Sequence, residues 1–514
     1  MFLLALLAAP FAAALITAFA SGRDSAATTR LATFLAVIVA ALGLPLVTSM
    51  DNIAWSMPWF NLPGTSATIS FSLASDGLSG WLIQLVTWLT PLAILASRDQ
   101  VGERMREFSC AIFTCAGLMI GALLARDLVV FYLFFEGMLV PMLVLIAVFG
   151  GADRRGAALQ FFLYTMAGSI LLLVAIWYLA QRLGTTSLAD LPGEMQLLNS
   201  AEQLAVFFAF ALAFAVKVPL VPFHTWQART YSECPTGAVM LLAGAMAKIG
   251  TYGLLRFVLP LFPAQCVEYA SVFITLGLIG TIGGALLAMM ASDVKKLIAF
   301  SSLSHLSLVV VGIFVGTETA LRGASVQMVA HGFSVAAMFL LIGAVESRAQ
   351  RRGLDDFGGL STRMPLFAAC FVVAALASAA LPGTAGFAGE FLLLFGIFLG
   401  AQWWIAAIAG LSTILTAVYL LRLVQRWCYG RPNATAGVLP DLAPRELLAV
   451  VPLLLLSIYF GFHPRPISDR AGAVAIELGS AAAELRPQPP QQAAAVTAPA
   501  ASPTAPSGAP HASR

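Results

Sequence analysis

AFALAFAVKVPLVPFHTW, residues 209–226, is the stretch that decides the fold of this 514-residue chain. It is an apolar run that contains a lysine, Lys217, followed closely by two prolines, Pro219 and Pro222. A charge near the centre of a bilayer costs at least ~2.5–3.5 kcal/mol, so it needs a partner, water or a task. Proline removes a backbone donor and interrupts a helix. The stretch therefore predicts a discontinuous membrane helix with an ionisable group beside its break.

Composition extends this prediction to the whole chain. Hydrophobic residues make up 60% of the sequence and charged residues 10%, whereas soluble proteins have roughly 25% charged residues. Apolar stretches of about 18–25 residues recur from end to end, each long enough to cross the hydrocarbon core. They do not alternate in polarity, as the strands of a membrane barrel would. We therefore expect an all-α membrane protein with about 14 transmembrane helices.

The distribution of basic residues predicts how the helices are oriented. If the N-terminus is outside and the segments alternate, eighteen of the 28 arginines and lysines fall in cytoplasmic loops and six in the opposite loops. Because cytoplasmic loops are enriched in basic residues, this bias favours that orientation in the inner, cytoplasmic membrane. The apolar N-terminus lacks the basic residues of a signal peptide, so we expect a retained first helix. Residues 51–75 are expected to form an external loop.

Three further ionisable residues lie inside apolar runs. They are Lys248 in LLAGAMAKIGTYGLL (241–255), Glu136 in VVFYLFFEGMLVPM (129–142) and Glu390 in LPGTAGFAGEFLLLFG (381–396). The run around Glu390 is interrupted at 381–386, much as the run around Lys217 is interrupted by its prolines. Two interrupted helices in matching places indicate paired ion sites in a transporter built from inverted repeats. We therefore expect two inverted five-helix repeats, discontinuous helices 7 and 12, and a route for protons or cations.

On this interpretation the chain divides into five parts. They are residues 1–107, helices 1–3 with the external loop; 108–260, the first repeat with helices 4–8; 268–430, the second repeat with helices 9–13; 445–485, the region of helix 14; and 486–514, a tail. The tail contains seven prolines and cannot bury a core, so we expect it to be disordered.

The sequence lacks the usual patterns of redox and nucleotide sites. Its six cysteines are scattered without a CxxC pair, and its five histidines show no ligand spacing. No glycine-rich loop precedes a Lys-Ser or Lys-Thr pair. We therefore expect that this chain binds no cofactor, no metal and no nucleic acid. The energy for moving ions must then come from a partner protein or from an ion gradient.

Five motifs together resemble one known family. They are KVPLVPFHTW (217–226), PTGAVMLLAGAMAKIGTYGLLRF (235–257), DVKKLIAFSSLSH (293–305), QMVAHGFSVAAMFLLIG (327–343) and LPGTAGFAGEFLLLFG (381–396). In this order they resemble the antiporter-like membrane subunits of respiratory complex I, which are related to Mrp-type cation/proton antiporters. The resemblance is strongest to subunit M, the counterpart of mitochondrial chain 4. Glu390 supports that type, because subunits L and N usually have a lysine at this position.

The resemblance implies a role for each candidate residue. Glu136 and Lys217 would form an ion pair that opens and closes, and Lys248 would pass the proton onward. Glu390 would be the terminal ionisable group, on the twelfth helix. Three histidines match polar positions of the family, two on a hydrated central axis and one after the seventh-helix break: His305, His331 and His224. The chain would thus translocate protons in an NADH:quinone oxidoreductase without a redox centre of its own.

The resemblance also implies which molecules surround the chain. NADH, flavin, iron–sulfur clusters and quinone are expected in partner subunits. The neighbours in the lipid bilayer are expected to be other membrane-arm subunits, of the L and N types, and the transported species to be protons.

One segment departs from the family pattern. After PFHTW the family usually continues Leu-Pro-Asp-Ala-His, but here the Asp and His positions hold Arg229 and Tyr231. The cytoplasmic end of the proton path is therefore an open question, and Glu233 is a candidate replacement for the lost acid. Two alternatives stay open: a subunit of a multisubunit Mrp-type Na+/H+ antiporter, and a membrane subunit of a hydrogenase-like or inorganic-carbon uptake complex.

Overall fold

A computed structural model describes residues 1–20, 24–48, 53–431 and 439–486 of the chain. Helices dominate these ranges, because backbone polar groups in a bilayer must bond within the protein. Except for Arg486, the predicted tail lies outside the described residues.

The helices of the first half are, in chain order, α1 (Phe2–Ala20), α2 (Ser25–Gly43), α3 (Pro45–Thr48), α4 (Gly77–Val101), α5 (Met105–Leu124), α6 (Leu128–Gly137), α7 (Leu139–Phe149), α8 (Arg154–Leu183), α9 (Leu191–Glu194), α10 (Ser200–Lys217), α11 (Thr225–Glu233), α12 (Thr236–Leu241), α13 (Ala247–Gly253) and α14 (Leu259–Leu261). Two π-helical turns, Leu242–Met246 and Leu254–Val258, join α12, α13 and α14 into one continuous segment. Short 3-10 turns cover Gly102–Arg104 and Met195–Leu197.

The helices of the second half are α15 (Pro263–Glu268), α16 (Ala270–Met290), α17 (Val294–Val315), α18 (Glu318–Ala349), α19 (Leu360–Arg363), α20 (Pro365–Ser378), α21 (Ala385–Gly400), α22 (Trp403–Tyr429), α23 (Pro444–Phe462) and α24 (Arg465–Glu484). The predicted region of helix 14 thus contains two helices, α23 and α24.

Twelve helical stretches of the described chain are long and apolar enough to cross a membrane. One of them, Gly77–Leu124, contains both α4 and α5, and the shorter helices α20 and α21 are apolar as well. This confirms the prediction of a helical, multi-pass membrane protein.

The predicted external loop is instead largely a β-hairpin. Strands β1 (Ile53–Asn61) and β2 (Thr68–Ser75) pair antiparallel, with Ile53 opposite Ser75 and Asn61 opposite Thr68. The alternation of polar and apolar residues in β2 explains the difference, because it buries one face of the strand against the helices. Both Ile69 and Leu73 of β2 are fully buried.

The innermost helices are α17, α18 and the segment from α12 to α14. Their apolar windows are 94–100% buried, whereas the windows of α8, α16 and α22 are 28–44% buried. The outer helices therefore present apolar side chains to lipid, and the inner ones form a protein-enclosed centre.

Helix α24 packs across one end of the bundle. The Trp81 indole of α4 donates to the Pro466 carbonyl at 2.9 Å, and the Arg322 guanidinium of α18 donates to the Ser468 carbonyl at 3.3 Å. This helix therefore ties α4 to α18 at the end that the charge pattern predicts to be external.

Ion pairs at the helix ends fall into two groups. One joins loops that the predicted orientation places in the cytoplasm, such as Arg352 with Glu233 at 2.8 Å and Lys295 with Glu346 at 2.6 Å. The other joins loops on the opposite side, such as Arg126 with Asp76 and Arg182 with Glu202, each at 3.0 Å. Both groups agree with the predicted alternation.

Candidate functional site

Lys248 lies in the centre of the bundle and is only 1% exposed. The π-helical turn before it makes the Ala247 N–H bond to the Leu242 carbonyl instead of the Ala243 carbonyl. The Ala243 carbonyl thereby accepts a hydrogen bond from Lys248 Nζ at 2.5 Å. The irregular helix therefore supplies a fixed acceptor for a buried ammonium or amine.

Lys248 also contacts the first of two buried histidines. Its Nζ lies 2.8 Å from Nδ1 of His331, on α18, and the His331 and His305 rings are 5.5 Å apart between centroids. His305, on α17, places its Nδ1 2.7 Å from Oε1 of Glu390. All four residues are at most 6% exposed. The structure therefore brings four of the predicted site residues into one line, which runs from α13 through α18 and α17 to α21.

Two neutral side chains complete the surroundings of Glu390. Gln327 Nε2 lies 3.5 Å from Oε1, and the Thr413 hydroxyl donates to Oε2 at 3.3 Å. The sequence offered a signal for Gln327, because it lies four residues before His331 and hence on the same face of a helix. It offered none for Thr413, on α22, which is an outer helix.

Glu136 and Lys217, the predicted ion pair, are not in contact in this structure. Lys217 is 3% exposed, and its Nζ lies over the Phe135 ring, 4.9 Å from the centroid. Neither Lys217 Nζ nor the buried Oε2 of Glu136 has a hydrogen-bond partner within the protein. An aromatic face attracts a cation, so Phe135 holds the lysine where the carboxylate was expected. Nothing in the sequence pointed to Phe135 as part of the site.

Several buried polar atoms of the described residues have no hydrogen-bond partner within the protein. In the described part of the chain they include Lys217 Nζ, His305 Nε2, Ser307 Oγ, Gln327 Oε1, Tyr231 Oη and the side-chain amide of Gln227. Each such atom costs about 1–3 kcal/mol if it stays unbonded, and internal water normally meets that need. Two of these atoms, His305 Nε2 and Gln327 Oε1, belong to side chains that contact Glu390, so the surroundings of Glu390 are chemically suited to internal water.

Two helices are interrupted in the same way. Between α10 and α11 the N–H of Leu220 bonds to the Ala215 carbonyl at 2.8 Å, and between α20 and α21 the N–H of Leu381 bonds to the Leu376 carbonyl at 3.0 Å. Each bond spans five residues, so both breaks close with the same wide turn. The predicted discontinuities are thus present in both halves of the chain.

The charged residues, however, lie on opposite sides of the two breaks. When the leucines of the two turns are aligned, Lys217 corresponds to Ser378, and Glu390 corresponds to Arg229. The matching places that the sequence indicated are therefore backbone features, and each half positions its own ionisable group differently.

The divergent segment is folded into α11. Arg229 is exposed and pairs with Asp153 at 2.6 Å, while Glu233 pairs with Arg352 at the helix end. Tyr231 is fully buried. His224, at the start of α11, is half-buried, and its Nδ1 lacks a protein partner. The structure does not bring His224 into the line of Lys248, His331, His305 and Glu390.

Comparison with known proteins identifies the family. Residues 125–416 match the family described as NADH:quinone oxidoreductase/Mrp antiporter, TM, and residues 28–126 match the amino terminus of NADH-ubiquinone oxidoreductase chain 4. NADH-quinone oxidoreductase subunit M of Rhodobacter capsulatus is 36% identical over 90% of this chain and 93% of its own length. The subunit M of Pseudomonas aeruginosa is 39% identical over 79% of this chain and 81% of its own.

Solved structures agree with these relatives. A chain of respiratory complex I from Thermus thermophilus, determined with bound NADH, has a TM-score of 0.81 and 30% identity, covering 93% of this chain and 100% of that one. A chain of the Mrp complex from Dietzia sp. DQ12-45-1b has the same TM-score at 22% identity, covering 92% and 97%, and shows a shared fold. From these matches, the chain belongs to the NADH-quinone oxidoreductase subunit M family, within the wider NADH:quinone oxidoreductase/Mrp antiporter family.

Proposed function

We propose that this chain is the proton-translocating subunit M of an NADH:quinone oxidoreductase and that its central line of side chains carries the protons. The observation that carries the proposal is the succession of Lys248, His331, His305 and Glu390, with contacts of 2.8 and 2.7 Å at its two ends. Groups that exchange protons occupy the enclosed centre of a helical bundle, where charges without a task are rare.

The chemistry of the line suits stepwise transfer. An ammonium on Lys248 can donate to Nδ1 of His331, and a neutral imidazole can accept a proton at one nitrogen and release one from the other. The two rings are separated by 5.5 Å between centroids, a distance that one bridging water or a ring rotation spans. His305 then exchanges its proton with the carboxylate of Glu390.

Lys217 and Glu136 precede this line in the proposed mechanism. We take the present separation of the two side chains as the open state of the pair that the family resemblance implies. Moving one charge against ~150 mV costs roughly 3–4 kcal/mol. Breaking a desolvated ion pair costs about 3–5 kcal/mol. The free energy of closing and opening one such pair is therefore large enough to move one proton against the membrane potential.

The proposal places the chain in the inner, cytoplasmic membrane, with about 14 crossings and two inverted repeats. NADH, flavin, iron–sulfur clusters and quinone belong to partner subunits in this scheme, and L- and N-type subunits are its neighbours. In the described part of the chain no three His, Cys, Asp or Glu side chains are grouped to hold a metal ion. The proposal also includes the predicted division into residues 1–107, 108–260, 268–430, 445–485 and 486–514.

The decisive experiment uses the assembled complex in inside-out membrane vesicles. Lys248→Ala and His331→Gln are compared with Lys296→Ala, a control at an exposed lysine. NADH oxidation and the acidification of the vesicle interior are measured together. We expect the first two variants to lose most of the acidification and the control to keep it, because only the first two interrupt the line. Normal acidification in both would overturn the proposal.

The same vesicles test the antiporter alternative, which has the shared fold in its favour. A Na+/H+ antiporter would give Na+-dependent proton movement in the absence of NADH. We expect none, since the relatives that share more than a third of the residues are oxidoreductase subunits.

A further inference from the structure

The outer helix α22 carries hydroxyl groups on its inner face. Its outward side chains Leu411, Ile414 and Val418 are 45–62% exposed, as expected next to lipid. On the opposite face Thr416 and Tyr419 are only 2% and 1% exposed. A buried hydroxyl costs free energy unless it is hydrogen-bonded, whereas an apolar side chain at these positions would need no partner.

These hydroxyls bond to one another and to a side chain of α17. The Tyr419 hydroxyl lies 2.8 Å from Ser301 Oγ and 3.2 Å from Thr416 Oγ1. One turn earlier on α22, the Thr413 hydroxyl donates to Oε2 of Glu390 at 3.3 Å. The four hydroxyl groups therefore extend from Glu390 along α22 to α17.

Other buried hydroxyls of the bundle behave differently. Thr281, Ser302 and Ser325 each donate to the carbonyl four residues earlier in their own helix. Such a bond has a fixed direction, because a carbonyl cannot donate. A hydroxyl bonded to another hydroxyl can reverse its direction, since each group both donates and accepts. The Tyr419 group therefore has the property that a proton relay requires, and the other three do not.

The hydroxyls lead toward the basic end of the bundle. Tyr419 lies ten residues before the end of α22 at Tyr429 and Ser301 seven residues after the start of α17 at Val294. At 1.5 Å per residue these distances are about 15 Å and about 10 Å. Both helix ends belong to the side where Arg352, Lys295 and their partners form ion pairs.

We propose that Ser301, Tyr419, Thr416 and Thr413 form a side branch of the proton path that links Glu390 with the cytoplasmic side. The proposal rests on the proposed function of the central line. Along the branch each oxygen accepts one proton while its own O–H bond breaks and the proton moves on, so no group changes its net charge. Thr413 and Thr416 are about one helical turn apart, roughly 5–6 Å between Cβ atoms, a gap that one water can bridge.

The test compares neighbouring serines. Ser301→Ala and Tyr419→Phe remove members of the branch, whereas Ser302→Ala removes the adjacent buried hydroxyl that bonds to its own helix. In the assembled complex in inside-out vesicles, we expect the first two to lower the ratio of proton pumping to NADH oxidation about fivefold, a small loss for a proton-transfer group. Ser302→Ala should keep the wild-type ratio.

A conservative variant separates a relay from an interhelical contact. Ser301→Thr keeps the hydroxyl, and we expect it to pump at the wild-type ratio. Equal losses in Ser301→Thr and Ser301→Ala would overturn the branch, as would wild-type pumping in both Ser301→Ala and Tyr419→Phe. If the complex with Tyr419→Phe does not assemble, the comparison of Ser301→Ala with Ser301→Thr decides whether the branch exists. Loss of pumping in Glu390→Gln alone would reject the branch and leave the proposed function intact.

Discussion

Lys248 Nζ lies 2.8 Å from His331 Nδ1, and both side chains are at most 4% exposed. Two neighbouring cations in so enclosed a place would repel each other strongly. The contact is therefore a place for one proton shared by two bases. In the proposed mechanism, a second proton arriving from Lys217 pushes the first toward His305 and Glu390.

Removing Lys217 tests the start of this route. We expect Lys217→Ala to reduce NADH-driven acidification of inside-out vesicles by about tenfold or more, a modest value for the loss of a proton-transfer group. Glu136→Ala should also reduce acidification, because without the carboxylate Lys217 cannot form the ion pair that holds its proton. Native gels of the solubilised complex would show that assembly persists. Unchanged acidification in either variant would contradict the prediction.

Glu390 allows a comparison of two replacements. We expect Glu390→Gln to impair pumping strongly. An amide still accepts the hydrogen bond from Thr413, but it does not bind and release a proton. Glu390→Lys should keep part of the activity, since a lysine can also bind and release a proton. The ratio of pumped protons to oxidised NADH measures both variants. Full pumping with glutamine and none with lysine would reverse the assignment.

Asp76 predicts a dependence of stability on pH. Burial raises the pKa of its carboxyl, but Arg256 and Arg126 outweigh burial and lower the pKa from 3.8 to about 2. Because the folded-state pKa is depressed, the stabilisation is present above about pH 4 and is lost as the pH falls toward 2. We expect Asp76→Asn to lower the melting temperature of the solubilised complex at neutral pH, with a difference from wild type that narrows on acidification below about pH 4. A difference in melting temperature that stays constant with pH would argue against stabilisation by the Asp76 carboxylate.

Arg352 holds the far half of the broken helix in place. It bonds to Glu233 of α11 at 2.8 Å, to Asp293 at 2.6 Å and to Glu346 at 3.0 Å. We expect Arg352→Ala to destabilise the assembled complex by about 2 kcal/mol or more, because Glu233 and Asp293 lose this counter-ion and Glu346 keeps only Lys295. The neighbouring exposed Arg351 supplies the control. Thermal melting, with hydrogen exchange of the α11 amides, measures the effect, and equal behaviour of Arg351→Ala and Arg352→Ala would refute it.

The sequence predicted the helical membrane architecture and the buried charged residues, because the length of apolar runs and the cost of charge in lipid are local properties. It also located both helix breaks from their proline and glycine residues. The sequence did not predict the β-hairpin, because the alternation of polarity in residues 68–75 is short and stands out little beside the long apolar runs.

The contacts within the site were beyond the sequence for another reason. The distance between Lys248 and His331 depends on how α13 and α18 pack, and the position of Lys217 over the Phe135 ring depends on how α6 and α10 lie in the bundle. Such relations arise from tertiary structure, and neither residue spacing nor composition encodes them.

The π-helical turn at Leu242–Met246 provides the hydrogen-bond acceptor of Lys248. A π turn contains one residue more than the α-helical turn it replaces. Deleting a single residue there would restore the regular repeat, in which the carbonyls of the turn bond to backbone N–H groups, and Lys248 would lose the free Ala243 carbonyl. The acceptor for a buried base thus depends on the length of the chain, so an in-frame codon deletion that alters no charged residue would disconnect it.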